Sequence, residues 1–369
     1  MKRIISIILV LALVTTAAFA SDFHFVFNSA ELNPTLPEKF LKGICPTVFT
    51  GGVGYTALEL VPGSTTELQL IAGGGIAFRA FFEENYSSKE ADYTEADYNV
   101  TQLMGKVKFL QGFNNDKFTA YASAEIRKET YKFLTGTNSF VKLSDAEKDS
   151  DGLVSYIFNA GVKLNNTKDT WFTRDGLDAS VDVTYSPSKK GHSYYAAQAQ
   201  AVYSKTIWQK LNSNGRNLVS FVFVDRLNAG YMNAFNDNTV PFFAQEFHSL
   251  GRKVRGFEKF TYSRAFTAVN NLEIRIASPE IVKDAIFARA ILFADAGIAA
   301  GEWLQHNGYD NKITNIIASA GAVAELSIFD FINLGAQFSY LINGYNPDAD
   351  RTFKDKTNIK MHLIFQLDY

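Results

Sequence analysis

Apolar and polar residues alternate with a period of two in one segment of this chain after another. In 332–343, every even position from Ile332 to Ile342 is apolar, and the residues between them, apart from Leu341, are small or polar. Successive side chains of a strand point to opposite faces, so such a strand has one apolar and one wet face. The same alternation recurs in 177–185, 193–204, 315–328 and 361–369. The pattern predicts an all-β chain.

The alternation favours a membrane barrel over a soluble sandwich. The apolar face is often alanine, with aromatic residues near its ends, which suits lipid contact better than a close-packed core. The apolar stretches recur at roughly 20 to 25 residues, longer than the 8–12-residue spacing of sandwiches. Lipid requires every backbone polar group to be paired, so the sheet must close. We therefore predict a transmembrane antiparallel β-barrel, with a soluble periplasmic β-protein as the alternative.

The alternation defines about 14 candidate strands. An even number is expected for a bacterial single-chain barrel, and because the first strand has the weakest pattern, 12 or 16 strands also fit. Connections alternate between tight turns and long polar loops such as 83–97 and 135–152, and 233–259 is the longest. The candidate strands are 23–31, 46–61, 66–82, 98–113, 118–134, 153–166, 176–186, 192–208, 217–232, 259–277, 286–300, 313–329, 332–343 and 359–369.

The first twenty residues have the features of a secretory signal peptide. Lys2 and Arg3 form a basic start, 4–14 is apolar but too short to span a bilayer, and 18–20 reads Ala-Phe-Ala, a small-x-small cleavage site. We expect 1–20 to be a signal peptide and 21–369 to be an outer-membrane barrel. An N-terminal membrane anchor is the alternative.

Composition argues against several other classes. The chain has 36 basic and 38 acidic residues, so no nucleic-acid partner is expected. Cys45 is the single cysteine, which forbids an internal disulfide, and the five histidines have no metal-ligand spacing, so no cofactor is expected. The sequence contains no GxSxG nucleophile motif, and we expect no enzyme activity.

Two short segments are not explained by alternation. One is 249–257, which lies in the longest loop and contains Arg255; the other is 293–297, within a strand. Ala294 and Ala296 suit the lipid face, so Asp295 must point into the lumen. A carboxylate in a partly dry lumen requires a partner, and Arg255 is the natural one if the loop folds inward as a plug.

These residues resemble the BamA-type superfamily of outer-membrane barrels, which includes assembly factors and two-partner-secretion transporters. In that family a VRGF/Y tip of an extracellular loop tucks into the lumen and contacts an FxDxG strand motif. Segments 240–243, 271–275 and 173–176 are also similar to the family pattern. The residues that match the tip, here called the latch tip, are Val254, Arg255, Gly256 and Phe257, and those that match the strand motif are Phe293, Asp295 and Gly297.

The resemblance implies assembly or translocation of outer-membrane components through a lateral seam between the first and last strands. An unfolded outer-membrane protein would add a strand to an exposed edge there. Gly256 would let the loop backbone approach the wall, and Gly297 would leave room for it. Glu273 and Arg275 share one strand face and are candidate lumenal charges, either as plain wall charges or as part of the latch.

The chain also departs from the family. Relatives that insert or export proteins carry periplasmic POTRA domains, and we expect this chain to be barrel-only, so that a periplasmic accessory protein would supply that function. Nine candidate strands precede the latch tip, where the family has eleven. The alternative function is a non-catalytic pore, adhesin or surface antigen that keeps the latch for stability.

The C-terminal strand carries a further prediction. Its alternation and terminal aromatic residue are typical of the sorting signal through which the cell's barrel-assembly machinery inserts a protein among outer-membrane lipids. The residues of this face are Met361, Leu363, Phe365, Leu367 and Tyr369.

Overall fold

The computed structural model describes residues 21–27, 48–60, 64–85, 92–135, 152–170, 172–188, 191–235, 238–257, 264–283, 285–303, 315–329, 332–343 and 358–367. The expected signal peptide, Cys45 and Tyr369 lie outside these residues, as do the interiors of several predicted loops.

Within the described residues, fourteen strands form one antiparallel sheet in which each strand pairs with its neighbours in sequence. All fourteen overlap the predicted strands, which confirms the all-β prediction and the count. The strands are β1 Ser21–Phe27, β2 Val48–Ala57, β3 Thr66–Asn85, β4 Asp92–Phe113, β5 Phe118–Thr135, β6 Leu153–Asp169, β7 Arg174–Ser186, β8 Tyr194–Leu211, β9 Asn217–Ala234, β10 Arg264–Val282, β11 Ile286–Trp303, β12 Asn315–Ile328, β13 Ile332–Asn343 and β14 Ile359–Leu367.

The predicted loop at 83–97 is wrong in its bounds. β3 and β4 stay paired as far as Asn85 opposite Asp92, so both strands extend well into the segment expected to be a loop. The residues there are polar, and the prediction followed side-chain hydropathy. Backbone hydrogen bonds between strands do not require apolar side chains, so a hairpin can continue beyond the membrane.

The two faces of the wall are reversed relative to a soluble protein. On β12, Ile316 is 54% exposed on the outer face, whereas Ser319 and Glu325 are buried on the inner face. On β13, Phe338 is exposed and Gln337 is buried. Water does not favour such an arrangement, but hydrocarbon outside a polar lumen does. The structure is therefore a transmembrane β-barrel wall. Separately, none of the helices in the described residues is long and apolar enough to cross a membrane.

The sheet curls around an interior segment. Val100 of β4 and Ala265 of β10 belong to the same buried cluster as Phe243, which lies in the β9–β10 connection. Six strand spacings of about 4.8 Å would separate β4 from β10 by about 29 Å in a flat sheet. Both can contact one cluster only because the wall bends around it. The enclosed space is the lumen, and residues 238–257 of the β9–β10 connection lie inside it, as predicted for a plug.

Candidate functional site

The plug segment, residues 238–257 between β9 and β10, combines a short helix with the latch tip. Helix α1, Phe242–His248, follows Pro241, whose carbonyl oxygen accepts hydrogen bonds from the amides of Ala244 and Gln245. A proline at a helix start loses no hydrogen bond, and its φ is already helical. A 3₁₀ turn at Gly251–Lys253 then leads into the latch tip. The helix was not predicted, because seven residues are too few to show a helical period.

The structure brings Arg255 and Asp295 together in a bidentate pair. Arg255 Nη2 lies 2.6 Å from Asp295 Oδ1, and Nε lies 2.7 Å from Oδ2. The backbone amide of Arg255 also donates to Oδ2 at 3.0 Å. Asp295 therefore holds both the side chain and the backbone of the latch tip. Paired fork geometry of this kind gives the strongest charge-assisted hydrogen bonds in proteins.

Glu273 on β10 joins the plug to the wall from a second strand. Its Oε1 accepts a hydrogen bond from Arg255 Nη1 at 2.9 Å, and its Oε2 accepts one from Arg275 Nε at 2.8 Å. Arg226 Nη1 on β9 lies 3.6 Å from the same Oε1. Glu273 was expected to be either a plain wall charge or part of the latch, and its geometry matches the second alternative. Arg275 reaches that tip through Glu273.

The environment keeps Arg255 charged. Burial disfavours its cation, but the hydrogen bonds and negative charges of Asp295 and Glu273 outweigh burial and raise the pKa of Arg255. Its guanidinium also lies 3.9 Å from the centre of the Phe293 ring, a cation–π contact. The strand motif therefore contacts the arginine through two of its three residues.

Two glycines make this approach possible. Gly256 has a φ of +90°, and a Cβ there would lie 2.5 Å from a methyl group of Leu341 on β13. A Cβ at Gly297 would lie 2.6 Å from the Leu250 side chain. A larger residue at either site would have to displace a leucine side chain while the plug is docked, and a side chain with a Cβ rarely adopts a φ like that of Gly256.

Apolar contacts surround the ionic network. Leu250, Val254 and Phe257 have no exposed surface, and they pack against four consecutive strands of the wall. In addition, Asn271 Nδ2 on β10 donates to the carbonyl oxygen of Lys253 at 3.0 Å. The wall residues of this cluster are Val269, Ala299, Ile317 and Leu341.

A second set of wall residues holds α1. Arg127 on β5 is 1% exposed, and its guanidinium lies 5.7 Å from the centre of the Phe243 ring. Glu125 and Glu129 pair with Arg127 at 2.7 and 3.2 Å. The plug segment thus has two attachments, the helix to β4, β5 and β8–β10, and the tip to β10–β13.

Sequence reasoning missed several residues of this site. Arg127 and Arg226 alternate into the lumen like many polar residues, and nothing in their local pattern distinguishes them. Asn271 was noted within segment 271–275 but was given no role. His248 is fully buried at the end of α1, where its Nε2 lies 3.1 Å from the carbonyl oxygen of Ala265. Alternation placed these polar residues on the inward face, but it could not tell which inward polar residues contact the plug segment.

Part of the predicted sorting strand is described. Met361 and Leu363 on β14 are 55% and 76% exposed on the outer face. Phe365 and Leu367 lie within β14, and Tyr369 lies outside the described residues.

A sheet that is apolar outside and polar inside, wrapped around a loop that an arginine fastens to the wall, defines a plugged β-barrel of the outer membrane. The chain belongs to the Omp85 superfamily, because the family model described as the Omp85 superfamily domain matches residues 62–353. This match confirms the resemblance to BamA-type barrels. Comparison with curated proteins gave no match.

Two solved structures have a similar fold. BamA from Haemophilus ducreyi lacking POTRA domains 1-3 is 14% identical with a TM-score of 0.50, over 94% of this chain and 69% of that chain. CdiB from Escherichia coli is 10% identical with a TM-score of 0.53, over 88% of this chain and 54% of that chain. The chain thus spans about half the length of CdiB. Identities this low show a shared barrel fold.

Proposed function

We propose that this barrel assembles or translocates outer-membrane proteins through a lateral seam, and that the latch tip controls the conformation of the barrel. The observation that carries the proposal is the network joining Arg255 to Asp295 and Glu273. One side chain binds two adjacent strands, so release of the tip would free β10 and β11 together. The proposed role is assembly or transport rather than catalysis.

The ends of the described sheet support a weak seam. β1 and β14 have 7 and 9 residues, whereas β3 and β4 have 20 and 22. β1 pairs with β2 along a stretch in which Gly51, Gly52 and Gly54 face Phe27, Val26 and His24. Glycine contributes no side-chain packing to a strand, so pairing there is weak. A client strand could compete for such an edge by strand addition.

We propose further that residues 1–20 direct export, that the barrel-assembly machinery reads the strand ending at Tyr369, and that a periplasmic accessory protein delivers clients. The fold that the chain shares with BamA and CdiB supports the barrel part of this proposal.

Deletion of the gene in the source bacterium, followed by complementation, tests the proposal. Loss of the protein should lower the folded amounts of other outer-membrane barrels, and wild type should restore them. The Arg255→Ala variant should restore them poorly, even after correction for its own folded amount. Arg289→Ala is the matched control, because Arg289 pairs with Glu325 on the wall and not with the plug segment.

The second candidate is a pore, adhesin or surface antigen in which the latch only stabilises the barrel. The extent of hydrogen bonding around Arg255 is compatible with this role. In that case deletion would change solute uptake or surface binding and leave the amounts of other barrels unchanged, and that outcome would overturn the assembly proposal.

A further inference from the structure

Phe172, in the connection between β6 and β7, extends beneath the lumen at the end opposite the plug segment. The Phe172 ring lies 5.1 Å from the Phe287 ring in an edge-to-face contact, and Phe287 is a buried, inward residue at the start of β11. Ser220 Oγ on β9, also fully buried, donates a hydrogen bond to the carbonyl oxygen of Phe172 at 2.9 Å. Both the ring and the backbone of the turn are therefore held by distant strands.

The distance along the wall shows that this contact is made through the interior. β7 and β11 are four strands apart, which corresponds to about 19 Å around the wall at a spacing of about 4.8 Å. Phe172 can reach Phe287 only by leaving the wall and extending under the lumen. The turn between β4 and β5 differs, because its Phe113 and Phe118 rings contact each other and are 50% and 41% exposed.

The start of β7 explains the inward bend. The β7–β8 ladder begins at Gly176 opposite Ser204, and one residue earlier the Asp175 carboxylate accepts hydrogen bonds from the Thr206 amide and hydroxyl at 3.0 and 2.8 Å. A side chain thus takes the place of the β7 backbone, which is free to leave β8. Gly176 has a φ of +128°, and a Cβ there would lie 2.0 Å from the Asn166 carbonyl oxygen.

We propose that the turn carrying Phe172 is a second gate, which closes the periplasmic mouth of the lumen independently of the latch tip. The segment 173–176, singled out from the sequence without a role, is the bend that holds this gate shut. Any solute or polypeptide moving between periplasm and lumen would have to displace Phe172 from Phe287. The inference goes beyond the proposed function, since it holds whether clients use the seam or the lumen.

If two gates lie in series, opening either one alone should raise planar-bilayer conductance little, and opening both should raise it greatly. The variants are Arg255→Ala to release the latch tip, Phe172→Ala to open the second gate, and both together. Each single variant should conduct little more than wild type, because the other gate stays closed. The double variant should exceed the product of the two single fold-changes. If Arg255→Ala alone reaches the conductance of the double variant, the second gate does not exist.

The control is Phe118→Ala, which removes an aromatic side chain from another turn without touching the lumen. Combined with Arg255→Ala, it should conduct as Arg255→Ala does alone. Gly256→Ala replaces Arg255→Ala as the latch variant if the latter fails to fold, since it displaces the tip without removing a charge.

Thiol labelling gives an independent readout. In a Cys45→Ser background, Ser327→Cys should resist a bulky membrane-impermeant maleimide in the purified barrel, because Ser327 is buried on β12 opposite Phe287. Adding Phe172→Ala should accelerate labelling at this position, whereas adding Phe118→Ala should not. Rapid labelling of Ser327→Cys with Phe172 intact would show an open mouth and overturn the proposal. Neither readout depends on the folded amounts of other barrels, so its failure is distinct from failure of the assembly role.

Discussion

At the residue scale, the Arg255 side chain makes all the ionic contacts between the latch tip and the wall that are described above. Arg255 uses three guanidinium nitrogens and its backbone amide to satisfy Asp295 and Glu273, all buried from solvent. A buried ion pair stabilises a fold little compared with apolar residues of the same size, but the loss of one partner leaves an uncompensated charge. The loss of stability on removal of Arg255 therefore measures the contribution of the whole ionic attachment of the latch tip.

We expect Arg255→Ala to destabilise the docked barrel by about 3–5 kcal/mol, the range for breaking a buried pair. The temperature at which the compact form unfolds on a heat-modifiability gel should fall. Arg289→Ala should change it less, because the Arg289 side chain is 25% exposed and pairs with one carboxylate, whereas the Arg255 side chain is 7% exposed and pairs with two. Equal shifts in the two variants would contradict a buried latch.

Gly256→Ala tests the close approach of the loop to the wall. The substitution places a Cβ on a residue with a left-handed φ, which costs about 1–2 kcal/mol of stability. The new Cβ also overlaps the Leu341 side chain. Unfolding on the same gel should therefore occur at a clearly lower temperature. Gly215→Ala is the matched control. Gly215 has a φ of +74° with no atom within 4 Å of an added Cβ, so it carries the backbone effect alone. A similar result for both would argue that the tip is not docked against β13.

We expect docking of the plug segment to depend on pH through His248, which is fully buried at the end of α1. Burial, together with the positive charge of Lys253, lowers the pKa of His248 from 6.5 to about 3. When undocked, the histidine regains its ordinary pKa and binds a proton more readily than when docked. Docking should therefore weaken as the pH falls from about 6.5 towards 3.

Protease cleavage of the plug segment in the detergent-solubilised barrel should accordingly be faster at pH 5 than at pH 7.5. The His248→Gln variant, which stays neutral, should lose that part of the acid sensitivity. An identical pH profile in the two proteins would show that another group is responsible.

At the element scale, α1 is a separate attachment of the plug segment. Its Phe243 side chain is 5% exposed and joins β4, β5 and β8–β10 through one apolar cluster, with Arg127 against its ring. The helix reaches β4 and β5 as well as β8–β10, and the latch tip contacts β10–β13, so the plug segment joins strands that lie far apart in the sheet.

We expect Phe243→Ala to loosen the helix and destabilise the barrel by about 3–5 kcal/mol, as for other large-to-small core changes. The latch tip should stay bound, so protease cleavage should move into α1 and spare Arg255. Phe329→Ala, at a turn residue that is 68% exposed, should leave both cleavage and stability nearly unchanged. Cleavage at the tip instead would mean that the two attachments act as one.

At the scale of the whole molecule, the outer face of the wall contacts lipid and the inner face contacts the lumen. This assignment decides how far a charged substitution on each face destabilises the barrel. Val181 lies near the middle of β7 on the outer face and is 52% exposed, whereas Gln200 on β8 is inward, opposite Ser180. The two positions lie at nearly the same depth on opposite faces. The same substitution at Val181 and Gln200 therefore compares a position in contact with lipid with a position in contact with the lumen.

Val181→Lys should destabilise folding into lipid vesicles by about 2–4 kcal/mol, as lysine does at the lipid face near the midplane. Gln200→Lys should have little effect because its ammonium group enters the polar lumen. Urea titration of folding in vesicles measures both. A larger effect at Gln200 would mean that the faces are assigned the wrong way round.

Alternation by itself predicted the strands and the face of each residue, because a period of two is a local property of each strand, and it gave about 14 strands with 12 or 16 also open. Spacing and residue type also placed Arg255 opposite Asp295, since an inward carboxylate requires a cation. Only the tertiary structure decided that Glu273 shares that arginine, that α1 forms and binds Arg127, and that Phe172 extends under the lumen. Each of these joins strands far apart in sequence, and their contact depends on how the wall curves, which no local pattern records.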